Sequence, residues 1–296
     1  MPPKRLSELP PEEVERALPA LAVGRLVDSV AGFNLPEDLD NTLLSVQRTI
    51  NAASSPAWRA ELGAEEWGEW RDRFLNAVGH VRDGLTATHY HFGRAREVEQ
   101  NLNGIARTEL PERLMPPLGG TVFSQSPVLG FEYQAFLFAR RRTLDYLASV
   151  VAWFFGHQSR RESHRIKRLP KTIDGALPAE ARDAVCRRFE EAKDDLGLSD
   201  QARQAPRDLV AHFKPLEGGH FNLTRHPHSG EMIVILAGGG EGLPGWVQTD
   251  ASGLEQGPTL EQVLSSQLAA TEHLILGVYK DLALLDSERV PNRVPN

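Results

Sequence analysis

The chain has 296 residues, 41% of them hydrophobic and 25% charged, the mixture of a globular protein and not of a disordered tail. A formal net charge of −7 argues against broad electrostatic capture of a nucleic-acid duplex, though not against a local basic site. A single cysteine, Cys186, excludes a disulfide framework or a thiolate metal site, and the best apolar run, Leu144 to Phe155, is interrupted by Asp145 and too short to span a membrane.

The N-terminus, MPPKRLSELPPEEVERAL, has no apolar stretch behind its basic residues, so no secretory signal is expected and the cytoplasm is the expected compartment. One short helix is expected around Glu12 to Phe33, as a docking segment. Asp40 to Ala52 and Ala64 to Val81 have helical spacing, with Trp67, Trp70, Phe74 and Val78 recurring at three or four residues as a core stripe. The pattern continues past Gly84 and stops at Pro111. The Pro/Gly-rich stretch from Pro111 to Pro127 is the best candidate boundary, dividing an N-terminal helical region, 1–118, from a second module, 122–286, with a flexible tail at 287–296.

The strongest helical signal runs from Phe131 to Gly156. Projected at 100° per residue, Glu132, Phe136, Ala139, Thr143, Leu147, Val150 and Phe154 form one stripe, so Glu132 either meets a partner on an apolar face or escapes to solvent at the helix start. Arg141 and Asp145 have the spacing of an ion pair. A basic cluster follows, Arg160, Arg161, Arg165, Lys167, Arg168 and Lys171, which is either an RNA-binding patch or a solvated helix end. A charged helix is expected over Ala179 to Leu196. Pro206 then suits the first turn of a short helix carrying Arg207, Asp208, Leu209, Val210, His212 and Phe213.

FNLTRHP and EMIVILAG, separated by HSG, read as an antiparallel hairpin inserted at about 219–249; GGGEGLPGWVQTD continues as a third strand or a loop. A long amphipathic helix from Thr259 to Leu285 closes the module, begun by a threonine with Gln262 three residues on. His89 and His91 would diverge on a helix, and His226 and His228 have no obvious acidic partner except Glu231. No metal site and no cofactor are expected.

Arg207 and His212 carry the chemistry. An arginine fork can hold phosphate oxygens, and a histidine exchanges protons near neutral pH. Cleavage of RNA by its own ribose 2′-hydroxyl needs those two functions and no metal. With the long helix before it and the hairpin and closing helix after it, the Arg-x4-His segment resembles the HEPN superfamily, named for its higher-eukaryote and prokaryote nucleotide-binding members. The resemblance covers about Val122 to Asp286 and implies a helical bundle that forms a homodimer, with two Arg/His motifs sharing a cleft. It also implies a metal-independent endoribonuclease, of a kind frequent as toxins or anti-phage effectors and met by an antitoxin or other regulatory protein. In that reading Arg207 neutralises the scissile phosphate, His212 is the general acid or base, Asp208 orients one of them, and Glu132 is a supporting addition. The competing reading is a catalytically silent module that binds a protein or nucleotide. A metal-dependent hydrolase, resting on the histidine count alone, ranks last.

Overall fold

The computed structural model describes residues 35–45, 64–123, 126–155, 165–176, 179–193, 196, 221–226, 229–236 and 259–283. Six helices and one small sheet lie within them. The helices are α1 (37–45), α2 (Ala64–Glu109), α3 (Pro127–Phe154), α4 (Leu169–Thr172), α5 (Ala179–Ala192) and α6 (Leu260–Ala283). The strands are β1 (Thr121–Phe123), β2 (Phe221–Arg225) and β3 (Met232–Leu236). The described residues are mainly helical. No helix among them is long and apolar enough to cross a membrane.

No proline interrupts α2 over its 46 residues, and Pro111 follows its end. At 1.5 Å per residue it is about 70 Å long. Trp70, Phe74 and Val78 are buried as the spacing predicts, and the Trp70 and Phe74 rings stack with centroids 5.1 Å apart. Its neighbour α3 starts at Pro127, four residues earlier than the sequence pattern suggests. Proline fits the first helical position, and Ser126 caps the helix by accepting from the Leu129 amide at 3.3 Å. Phe136, Thr143, Leu147, Val150 and Phe154 are buried along the expected stripe.

The two helices pack antiparallel. Trp70 Nε1 donates to the Trp153 carbonyl at 3.0 Å near one end, and His91 meets Glu132 near the other. Between them a Cβ on Gly84 would sit 2.6 Å from Thr143 Oγ1 and 3.2 Å from Thr143 Cα, so glycine permits the close approach. The boundary expected between 118 and 122 separates these helices in sequence, but the described residues on both sides of it share one hydrophobic core.

The hairpin forms as its pattern predicts, β2 pairing antiparallel with β3 from Phe221–Leu236 to Arg225–Met232. Gly230, at φ +71°, completes the turn. The Pro/Gly-rich boundary stretch contributes a third strand, giving the order β1-β2-β3. Its three residues are too few to display alternation. Gly119 at φ +79° turns the chain, and the Gly119 amide donates to the Arg225 carbonyl at 2.8 Å. Leu223, Met232 and Val234 are buried from this sheet.

The closing helix α6 begins with reciprocal bonds, Thr259 N–H to Gln262 Oε1 at 2.9 Å and Gln262 N–H to Thr259 Oγ1 at 3.2 Å. It packs on α5, where Arg188 crosses Gly277 to reach Asp281; Arg188 Nη2 donates to Asp281 Oδ1 at 2.9 Å. Two polar pairs tie α6 to α2: His89 with Glu272 at 2.7 Å and Arg96 with Glu261 at 2.9 Å.

Candidate functional site

On α2, His80, Gly84, Ala87 and His91 follow at intervals of four, three and four residues, which places them on one face, with Asp83 beside them. On α3, Ala135, Phe138, Ala139, Arg142 and Tyr146 face them. The two rows enclose an open groove of about 520 Å³ with a floor of small side chains and polar groups at both ends.

At one end, His91 Nδ1 lies 3.0 Å from Glu132 Oε2, and Arg94 Nε lies 3.9 Å from Glu132 Oε1. A carboxylate only accepts, so Nδ1 carries the proton, and Nε2 is left facing away from Glu132, an acceptor in the neutral ring and a donor in the protonated one. A carboxylate thus orients an imidazole at the groove wall, the arrangement that fixes a tautomer in acid–base and ligand-binding histidines. Of the two alternatives for Glu132, the structure has the partnered one.

At the other end the His80 and Tyr146 rings stack with centroids 5.0 Å apart, and the Arg142 guanidinium lies over the Tyr146 ring at 5.3 Å. Arg142 Nε donates to the Tyr146 hydroxyl, which leaves the paired terminal nitrogens of the fork outside that bond. Phe138 is 40% exposed, and Phe131 and Val128 further along α3 are 67% and 55% exposed.

The basic segment lies alongside α3. Asp145, next to Tyr146, accepts from the Ile166 amide at 2.9 Å and pairs with Arg141 at 3.3 Å, as the spacing of that pair predicts. With Ile166 and Leu169 buried, Arg165, Lys167 and Arg168 are exposed around them. Arg160 and Arg161 lie outside the described residues, and so do Arg207, Asp208 and His212 with the short helix expected to carry them.

A half-buried carboxyl and a buried guanidinium stand apart from the groove. Glu99 on α2 accepts from the Val234 amide of β3 at 3.2 Å, and burial, with Glu261 nearby, raises its pKa to about 7. Arg140, 8% exposed, donates to the Leu196 carbonyl at 2.6 Å, while its Nη1 has no hydrogen-bond partner among the described residues; burial lowers its pKa to about 10. Burial also raises the Cys186 thiol, which disfavours the reactive thiolate.

The divergence expected of His89 and His91 is present, since one meets Glu272 on α6 and the other Glu132 on α3. His226 Nδ1 accepts from the Ser229 amide at 3.1 Å, which explains that histidine as a turn element. Among the described residues no group of three metal-ligating side chains comes together.

The sequence pattern brings up His91 only as a possible metal ligand and Arg142 only as one of three consecutive arginines, and it does not single out His80 or Tyr146. Their signal was the row of small residues punctuated by histidine at helical spacing, which becomes meaningful only when the facing helix and its register are known. The chain matches no family model, no curated protein and no solved structure.

Proposed function

We propose that the protein acts on RNA as a metal-independent endoribonuclease of the HEPN type, working as a homodimer with Arg207, Asp208 and His212 as its reactive group. The observation that supports this reading best is the order of parts around that segment. A long helix α3, an exposed basic segment held on it by Asp145, helix α5 and the closing helix α6 follow one another in the arrangement that the resemblance implies, with the β2–β3 hairpin inserted as this chain's departure from it. Arg165, Lys167 and Arg168 give an acidic chain a local surface for a phosphate backbone. In the reaction Arg207 stabilises charge on the attacked phosphate, and His212 moves the proton of the 2′-hydroxyl or of the leaving oxygen.

The test is incubation of the full chain with a mixed RNA pool in EDTA, beside Arg207→Ala and His212→Ala. Cleavage by the parent, reduced about a hundredfold or more in each variant, is the expected result. A parent chain that binds RNA without cutting it under any condition would instead be the non-catalytic binding module. Cleavage undiminished in both variants would remove these residues from the mechanism.

A further inference from the structure

We infer that the groove between α2 and α3 is a subsite for single-stranded RNA, in which Phe138 carries a base, Arg142 holds a phosphate and His91 hydrogen-bonds a ribose hydroxyl. The inference rests on RNA as the substrate class and extends it to residues separate in sequence from Arg207 to His212.

Three chemically different features converge there. Arg142 is exposed and keeps the two terminal nitrogens of its guanidinium outside the bond to Tyr146, the geometry that suits a phosphate fork. Phe138 presents an exposed ring beside a floor of Gly84, Ala87 and Ala135, where a flat base can lie close to the helices. The Nε2 of His91 is outside the hydrogen bond to Glu132, which Nδ1 makes. A ribose 2′-hydroxyl can donate to or accept from that nitrogen, and deoxyribose lacks it.

The dimensions agree. Glu132, the partner of His91, precedes Arg142 by ten residues on α3, which separates the two ends by about 15 Å at 1.5 Å per residue. That length accommodates about four nucleotide steps stacked at about 3.4 Å each. The groove is open along its side, so a strand can enter without threading. Asp145 also joins the helix that forms one wall to the segment bearing Arg165, Lys167 and Arg168, which offers the continuing backbone a cationic path.

The experiment measures fluorescence anisotropy of a short labelled oligouridylate, and of its 2′-deoxy counterpart, on the full chain carrying His212→Ala so that the probe stays intact. Phe138→Ala and Arg142→Gln should each weaken RNA binding about tenfold, the latter also reducing the salt slope by about one. His91→Phe should reduce the preference for RNA over DNA about fivefold. Arg107→Gln, an exposed change at the far end of α2, should alter neither. Phe138, Arg142 and Arg107 are exposed and His91 is half-buried, and an unchanged melting temperature separates lost contacts from lost fold.

Binding by the parent that all three groove variants retain would overturn the subsite while leaving RNA as the substrate class. Equal displacement of the probe by inorganic phosphate at the same concentration would reduce the groove to an anion site and overturn it as well. A parent that binds no RNA at low salt, and cleaves none in the earlier assay, would overturn both readings.

Discussion

A carboxyl group withdrawn from water near a second carboxylate resists ionisation, and Glu99 is in that position between the Val234 amide and Glu261, with Arg96 opposing the effect. Its folded pKa of about 7 lies above the ordinary 4.5, so the folded state holds the proton more tightly than the unfolded state does. The stabilisation is therefore complete below about pH 4.5 and is lost as pH rises through 7. Discounted for partial exposure, the amount is about 1–3 kcal/mol. Glu99→Gln keeps an oxygen for Val234 and removes the charge. Urea midpoints measured from pH 5 to 8 should flatten in the variant, which becomes more stable than the parent at pH 8; parallel curves would disprove the assignment. At this scale the sequence told half of the site: Glu132 on an apolar stripe advertised a partner. It could not name His91, because the choice depends on how one helix slides along another.

Glycines of one helix behave differently according to what faces them. Gly84 lies under Thr143 with backbone as well as side chain in the way, whereas Gly93 has open space where its Cβ would be. Gly84→Val should lower stability by about 2–4 kcal/mol through helix separation, overpacking that Thr143→Ala relieves only in part because Thr143 Cα remains. Gly93→Ala should raise it by about 0.5–1 kcal/mol, the ordinary gain in helix propensity at an exposed position. Chemical denaturation of the two variants checks both signs, and a loss of stability in each would mean that the helices are not packed as described. Elements were the most legible level: the apolar period of α2 and α3, the Thr259 cap and the hairpin turn are local patterns. Strand β1 was not, since three residues after a glycine turn carry no period and pair only because β2 arrives from about a hundred residues away.

For the molecule as a whole, the division at 118 was argued from composition, and the packing depends on complementary faces. The stripe of α3 that buries Phe136, Leu147 and Phe154 lies against Phe74, Val81 and Leu85 of α2, and no local feature of the Pro/Gly stretch reports that meeting. Separating the two would return a large apolar surface to water at about 25 cal/mol per Å², a loss that neither part has other described elements to offset. The core should accordingly melt in one cooperative transition, with calorimetric and van't Hoff enthalpies equal. Residues 122–286 expressed alone should expose the α3 stripe and show no such transition. Two resolved transitions in the full chain, or a cooperative melt of that fragment, would establish that α3, α5, α6 and the hairpin form a self-sufficient bundle on which α2 merely rests.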